Sequence, residues 1–525
     1  MHIRLTVFFL LIAAAVVAQK QHYVDFHDNG EKRSEGFYLD GFEHETWKYW
    51  YDNKQLKEQA DYFRGKLHGV VKKYHSNGQL MNEGYFRYGR QDSIFRHLDR
   101  SGKLLEQGHY SKGKKTGTWV YFHPGGEEMM TELYKDSTML VMAYSTPEGK
   151  KTIIEGNGYL LEYTLEGTLK AKKFFKDGVM TGPYEEYFFN GNKRVLGGYT
   201  SGLRDGQWVE FYLLGDTAQV SHYIKGVIDG RYEKSFPEGN PEITGHYVNG
   251  KKNGLWTWYL PSGQKDMEGN FTTDMRQGDW TYWYATGQVH HRGAFQNDLM
   301  NGQWQYFYPD GQKHKTGKYK DGLREGEWTH WFENGKVLKK GAFVSDKEDG
   351  LWESFYESGK LQDKGTFKAG KMSGKWEGWF ANGVKNYEGE WNNDLKTGTW
   401  SHWSENGKLL EQGPMKESQR HGMWETFTPQ GRLEMKGDYD MGKPDGKWEY
   451  YYPFGALMRT AAYKAGKLDG KSIIYAPQGR VIDESGYKNG RKHGDSKLFD
   501  EKSGQLTEHL VFDDGKVVKV VFRKK

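Results

Sequence analysis

The side chains most capable of chemistry in this chain are aromatic, and they recur at one interval. Trp283, Trp331, Trp379 and Trp403 stand at multiples of 24 residues from one another. Rings in such a row can stack on sugars, lie at a membrane surface or pack against a protein partner. Carboxylates keep the same interval at Asp274, Asp298, Asp346 and Asp394. One carboxylate per loop falls far short of the six to eight oxygens that calcium takes, so no metal site is assigned to them. His290 and His291 are adjacent, and neighbours in a strand point to opposite faces, which argues against a shared metal. Cysteine is absent, which excludes disulfides, thiolate ligands and cysteine nucleophiles. No nucleophile-elbow, zinc-protease or phosphate-loop motif occurs. The expectation is a protein with no catalytic residue, no cofactor and no metal.

Those residues keep their interval because glycine does. One glycine stands every 24 residues from Gly182 to Gly494. A fixed period of this size means stacked copies of one small unit, a design that presents surface more often than it builds an enzyme. Let the register glycine be position 0. Position 2 is then tryptophan in most copies, as in Trp208, Trp256, Trp328 and Trp448. Position 5 is aromatic in nearly every copy, and position 6 often is. Positions 8 and 9 are frequently Asn-Gly (Asn334-Gly335, Asn382-Gly383), position 15 is usually glycine and position 17 is aromatic (Tyr319, Phe343). Position 20 is glycine, or else often aspartate.

Two aromatic-rich runs around Asn-Gly predict a β-hairpin with a two-residue type I′ turn, in which both turn residues have positive φ. Position 2 then sits opposite position 15, and position 0 opposite position 17, so each large ring lies beside a glycine. Positions 2, 6, 11 and 17 share one face, and position 5 points to the other. The rings at positions 2 and 17 are the expected core. The row at position 5 is the expected contact surface, with Trp283, Trp331, Trp379 and Trp403 as its partner-binding candidates. The predicted fold is all-β, an elongated single-layer array of about 21 hairpins of 24 residues.

The organisation along the chain follows the register. Arg4 and the apolar run Leu5 to Val17 read as a signal peptide over residues 1–18. Hairpin repeats are expected over 21–134 and 158–515, an irregular truncated repeat or kink over 135–157, and a tail over 516–525. The stretch from Thr131 to Asn157, which includes this irregular part, offers Glu132, Asp136 and Tyr144, but no nucleophile beside a base. The formal charge of +5 is small for 525 residues, and lysine and glutamate are interspersed. Nucleic acid, which needs concentrated positive charge, is therefore not an expected partner. Without a basic stripe or lipid anchor, a membrane surface is disfavoured.

The pattern from Gly326 to Gly350 (Trp328, Trp331, Phe332, Asn334-Gly335, Gly341, Phe343) resembles the MORN repeat, in the variant form of the YwqK-type antitoxin family. The resemblance covers residues 21 to 515 and implies a MORN-like solenoid that acts as a protein-interaction scaffold. The antitoxin relation implies binding and neutralising a partner. Together, the sequence points to an exported scaffold, periplasmic or secreted, that binds a protein along its sheet. Cell-wall or glycan binding through the aromatic hairpins is the alternative.

Overall fold

The computed structural model describes residues 19–524; the expected leader over 1–18 lies outside the described residues. The described residues form 46 strands and no helix. The chain divides into two compact units, residues 1–251 and 252–525. The first carries the strands from Lys20–Phe26 to Pro241–Val248 and the second those from Gly254–Tyr259 to Lys516–Arg523; the two-residue strand Lys251–Lys252 falls at the division. Within each unit the strands pair antiparallel in chain order as a plain meander, and where a strand is split at the bulge, as Leu203–Arg204 and Gly206–Phe211 or Gln419–Arg420 and Gly422–Phe427, both pieces pair with the strand before. The region expected as a tail ends instead in the strand Lys516–Arg523, which pairs with Leu506–Asp513.

The hairpin register follows the expectation. In the copy starting at Gly326, Gly326 pairs with Phe343 and Trp328 with Gly341. The ring, however, does not lie on that glycine. Trp328 leans back over Gly317 of the preceding strand, where an added Cβ would fall 2.1 Å from indole Cδ2. The cause is a bulge. Thr316 pairs with Thr329 and Lys318 with Glu325, so three residues, Gly326 to Trp328, stand opposite Gly317 alone. Gly326 makes this kink with φ of +68° and has open space where a Cβ would be. The two recurrent glycines thus serve different needs, backbone conformation at position 0 and room at position 15. The kink survives where the first glycine is lost, since Glu45 and Ser93 hold φ of 61° and 70° at the same repeat position.

The bulge also exposes a carbonyl, and the indole takes it. Trp328 Nε1 donates to the Lys318 carbonyl at 3.1 Å, and Trp304 to Ala294 and Trp352 to Ala342 in the same way at 3.2 and 3.1 Å. Buried indole N–H groups need such a partner. Edge-to-face rings continue the packing, Tyr319 to Trp328 at 5.1 Å, Trp328 to Phe343 at 6.1 Å and Phe343 to Trp352 at 5.1 Å. Trp328 is only 2% exposed although no second layer covers it. Guanidinium and ammonium groups complete the cover, with Arg324 3.9 Å from the Phe343 centroid and Lys396 3.9 Å from Trp400. In several copies without the tryptophan the glycine changes too, giving the pairs Ala60–Val71, Ala461–Ser472 and Ser485–Ser496, whereas Gly84 is kept opposite Phe95.

The turns exchange the roles the sequence suggested. Around Asn334-Gly335, the Phe332 N–H donates to the Lys336 carbonyl and the Gly335 N–H to the Phe332 carbonyl. This is a three-residue loop in which Gly335 alone has positive φ. The type I′ turn lies at the other end of the unit, where Asp321 and Gly322 have φ of 51° and 83° and Lys320 pairs with Leu323. Asparagine recurs for a different reason. Asn334 Oδ1 accepts from the Lys336 N–H at 3.0 Å, while its Nδ2 donates to the Glu357 carbonyl in the next loop at 3.0 Å. Tyr308 does likewise, its hydroxyl donating to the Trp331 carbonyl at 2.8 Å. Position 11 changes faces relative to the prediction, because Val337 pairs directly with Trp331 of position 5.

The close contact at position 15 predicts a specific pair of outcomes. Gly317→Ala should destabilise the strands around it by about 1–3 kcal/mol, as overpacking does. Adding Trp328→Val recreates the natural Ala60–Val71 pair and should return part of that loss. Native-state hydrogen exchange at the amides of 313–331 reads both; additive losses would contradict the packing described.

Candidate functional site

Position 5 is the last strand residue before the three-residue loop, so its side chain stands at the loop-bearing margin of the sheet. The structure places Trp283, Trp331, Trp379 and Trp403 in this row, all within the second unit. One repeat spans two strand steps, roughly 10 Å, so Trp379 and Trp403 are about that far apart along the row, and the steps from Trp283 to Trp331 and from Trp331 to Trp379 are about twice as long. The rings are half-buried rather than open to solvent. Each lies under a lysine. The ammonium nitrogens of Lys265, Lys313, Lys364 and Lys385 are 5.6, 5.7, 5.4 and 5.7 Å from the centroids of Trp283, Trp331, Trp379 and Trp403. Lysine suits this place because its stem covers the ring while its charge stays in water. These lysines were not singled out from the sequence; they occupy positions 11 and 14, and only the pairing shows that both reach the ring row.

Carboxylates run beside the rings at position 3. Glu353 pairs with Lys340 at 2.8 Å, Glu377 with Lys364 at 3.2 Å and Glu449 with Lys436 at 3.2 Å. Glu377 also meets Lys385 at 2.9 Å and Lys375 at 3.2 Å. Burial would raise the Glu377 carboxyl, but hydrogen bonds from these three lysines outweigh it and bring it down to about 2. Glu449 is brought to about 2 by hydrogen bonds from Lys447 and the Tyr451 hydroxyl. Such exposed pairs are individually worth little. Their effect is a patterned surface of rings, ammonium groups and carboxylates repeated with the chain.

The aspartates of position 20 are already engaged. Asp346 Oδ1 accepts from the Arg324 backbone N–H and from Arg324 Nε, both at 2.9 Å. Asp298 takes the equivalent bonds from Arg276 at 3.0 Å. They are turn residues with positive φ whose carboxylates tie one turn to the one before. His290 and His291 depart from the expectation of opposite faces, with ring centroids 4.6 Å apart and planes at 85°. His291 stacks on Tyr282 at 4.1 Å, and its Nδ1 is buried without a hydrogen bond. No group of three or more His, Cys, Asp or Glu side chains able to hold a metal ion stands among the described residues, and no helix of the described residues is long and apolar enough to cross a membrane.

Two histidines on the packed face set an acid sensitivity. Desolvation, with help from nearby cationic and imidazole groups, lowers His291 and His330 from 6.5 to about 4. Below 6.5 the unfolded chain binds protons there that the folded chain refuses, so stability falls as pH drops from about 6.5 to 4. Glu377 and Glu449 add a second loss between about 4.5 and 2, since their folded values are depressed. Replacing the histidines by residues at the same repeat positions, His291→Met (as Met267) and His330→Tyr (as Tyr306), should flatten the thermal midpoint between pH 6.5 and 4. The fall below pH 4.5 should remain. An unchanged slope in the upper window would remove the histidines as its cause.

Comparison with known proteins bears on the repeat. The chain is similar to two crystal structures, of TcdB2-TccC3-Cdc42 (9% identity, TM-score 0.13) and of TcdB2-TccC3 (10% identity, TM-score 0.14). In each case 95% of this chain and 30% of the other is covered, so the chain spans about 30% of the length of these proteins. No curated protein matches it. The MORN repeat variant model matches at 46–63, 67–88, 300–321, 324–344, 348–369, 396–417 and 444–465. These matched segments overlap the strand pairs, bulges and turns described above, in both units. The protein is a β-hairpin repeat array that matches the MORN repeat variant model at seven places.

Proposed function

We propose that the protein is a non-enzymatic, exported scaffold that binds a protein partner along the position-5 face of its second unit. The observation that carries this reading is the row of half-buried tryptophans, each topped by a lysine at 5.4 to 5.7 Å. Half-buried rings are held in place by the sheet, so a partner meets them already ordered and loses less entropy on contact. Ammonium and carboxylate groups around them give directionality. Repetition at one spacing lets several modest contacts act together. An antitoxin-like mode of action would be sequestration of that partner by occupying its surface. Export rests on the apolar leader read from the sequence.

The glycan reading is weaker on this geometry. A sugar stacks on an open ring face, and here a lysine already lies over each of the four rings. The experiment that separates the readings is a pull-down from envelope and secreted fractions of the producing cell. It compares the mature protein with Trp283, Trp331, Trp379 and Trp403 all changed to Ala, and with Lys265, Lys313, Lys364 and Lys385 all changed to Gln, after circular dichroism shows each folded. A single protein should be retained saturably by the parent and lost from both variants. Retention of polysaccharide alone would favour the glycan reading. Undiminished retention by the tryptophan variant would rule out this face.

A further inference from the structure

The repeat fails at one place, and what stands there is unlike the rest of the sheet. In regular copies a tryptophan covers the glycine eleven residues before it, as Trp119 covers Gly108 and Trp208 covers Gly197. One repeat after Gly108 the corresponding residues are Glu132 and Ala143. The glycine has become a carboxylate and the indole has become a methyl group. Glu132 now pairs with Val141 and Thr131 with Ala143.

The backbone around this point is shortened. The next strand is only Lys151–Ile154, against eight or nine residues in most others. The turn beyond it closes the gap. The Val141 N–H donates to the Gly178 carbonyl, and Gly178 N–H to the Gly156 carbonyl, at 2.9 and 2.8 Å. Gly156 has no room for a side chain, since its Cβ would lie 2.4 Å from the Gly178 nitrogen. The contraction leaves a cavity of about 560 Å³ on the sheet, within the range of small-ligand sites. Its walls are apolar and adaptable, including Met129, Met130, Met139, Leu160, Phe175 and Met180.

Glu132 belongs to this cavity and is 93% buried by its 7% exposure. The hydroxyls of Tyr121 and Tyr134 both donate to its Oε2, at 2.7 and 2.8 Å. Among the described residues the hydrogen bonds to this carboxylate both fall on Oε2, which leaves Oε1 for the cavity, and no cation stands within ion-pair distance. The other charges lining the cavity are spoken for, because Lys173 pairs with Glu162 at 2.6 Å. Lys115 stops one step away, its Nζ 2.9 Å from the Tyr121 hydroxyl. A buried carboxylate without a counter-charge is costly, and a cationic ligand removes that cost.

We propose that this cavity is a binding site for an apolar group bearing a primary ammonium or guanidinium, the apolar part taking the place of the missing indole and the cation meeting Glu132. The site lies in the first unit and is independent of the tryptophan row of the second. The same chemistry could come from a free arylalkyl amine or from a lysine or arginine beside an aromatic residue in a peptide.

The test uses the full mature chain with methyl-labelled methionine. The probes are 2-phenylethylammonium, its neutral analogue 2-phenylethanol, its acidic analogue 3-phenylpropionate, and a Phe-Lys dipeptide amide. One or both ammonium probes should shift the methyls of Met130, Met139 and Met180 saturably. They should bind at least tenfold more tightly than the alcohol, and the acid should not bind. Tighter binding by the dipeptide identifies a peptide source, and by the simple amine a free one. Glu132→Gln keeps the tyrosine hydrogen bonds and should abolish the preference for the ammonium over the alcohol. Leu160→Phe narrows the cavity and should weaken amine and alcohol alike. Equal binding of amine and alcohol, or a preference untouched by Glu132→Gln, overturns the proposal.

Discussion

One contact organises this sheet: an indole lying flat over a glycine on the preceding strand, with its N–H on the carbonyl that a bulge has freed. Each part requires the others. Without the bulge the tryptophan would stand above its register partner and the carbonyl would stay in the ladder. Without the glycine the ring could not come within van der Waals distance of the backbone. A smaller aromatic would fill some of the space but leave the carbonyl unpaired in a desolvated place, at about 1–3 kcal/mol. This is how a sheet with no second layer makes a core. The neighbouring aromatic edges and the overlying arginines and lysines supply the cover that another layer would give.

The turns turn that local contact into a regular array. At one margin an asparagine or tyrosine reaches to the following loop; at the other, an aspartate or a backbone N–H reaches to the preceding turn. Neither bond would be made by a lone hairpin, which explains why polar residues with modest strand preference recur at fixed places. The period, the hairpins, the buried tryptophans and the pairing of position 2 with position 15 were all legible in the sequence. The turn types were not. Asn-Gly is the usual signature of a type I′ turn, but here asparagine is selected by a bond to Glu357 or its equivalents, about one repeat away. A short sequence window does not show that demand. Likewise the glycine beneath each ring was assigned to the wrong strand, because a bulge adds a residue that alternation alone does not count.

The candidate surface was half legible for a related reason. Position 5 is aromatic often enough to stand out. Lysine is so common in this chain that its placement over Trp283 or Trp379 emerges only when strands are paired. Glu132 was visible as a carboxylate in an irregular stretch. Its meaning depends on seeing that it replaces a glycine in one column while Ala143 replaces a tryptophan in the next strand. A departure from a repeat is informative once the repeat's own contact is known.

The meander order of the strand pairing has a kinetic consequence. Each pairing closes a loop of only a few residues, so little chain entropy is lost before contacts are gained, and the contact order of such a chain is low. Folding can begin at whichever hairpin forms first and spread to both sides, and no particular nucleus is required. The regular copies are close to interchangeable as starting points. The shortened strand Lys151–Ile154, with the fewest residues to pair among the strands around it, is the step at which a growing front should pause.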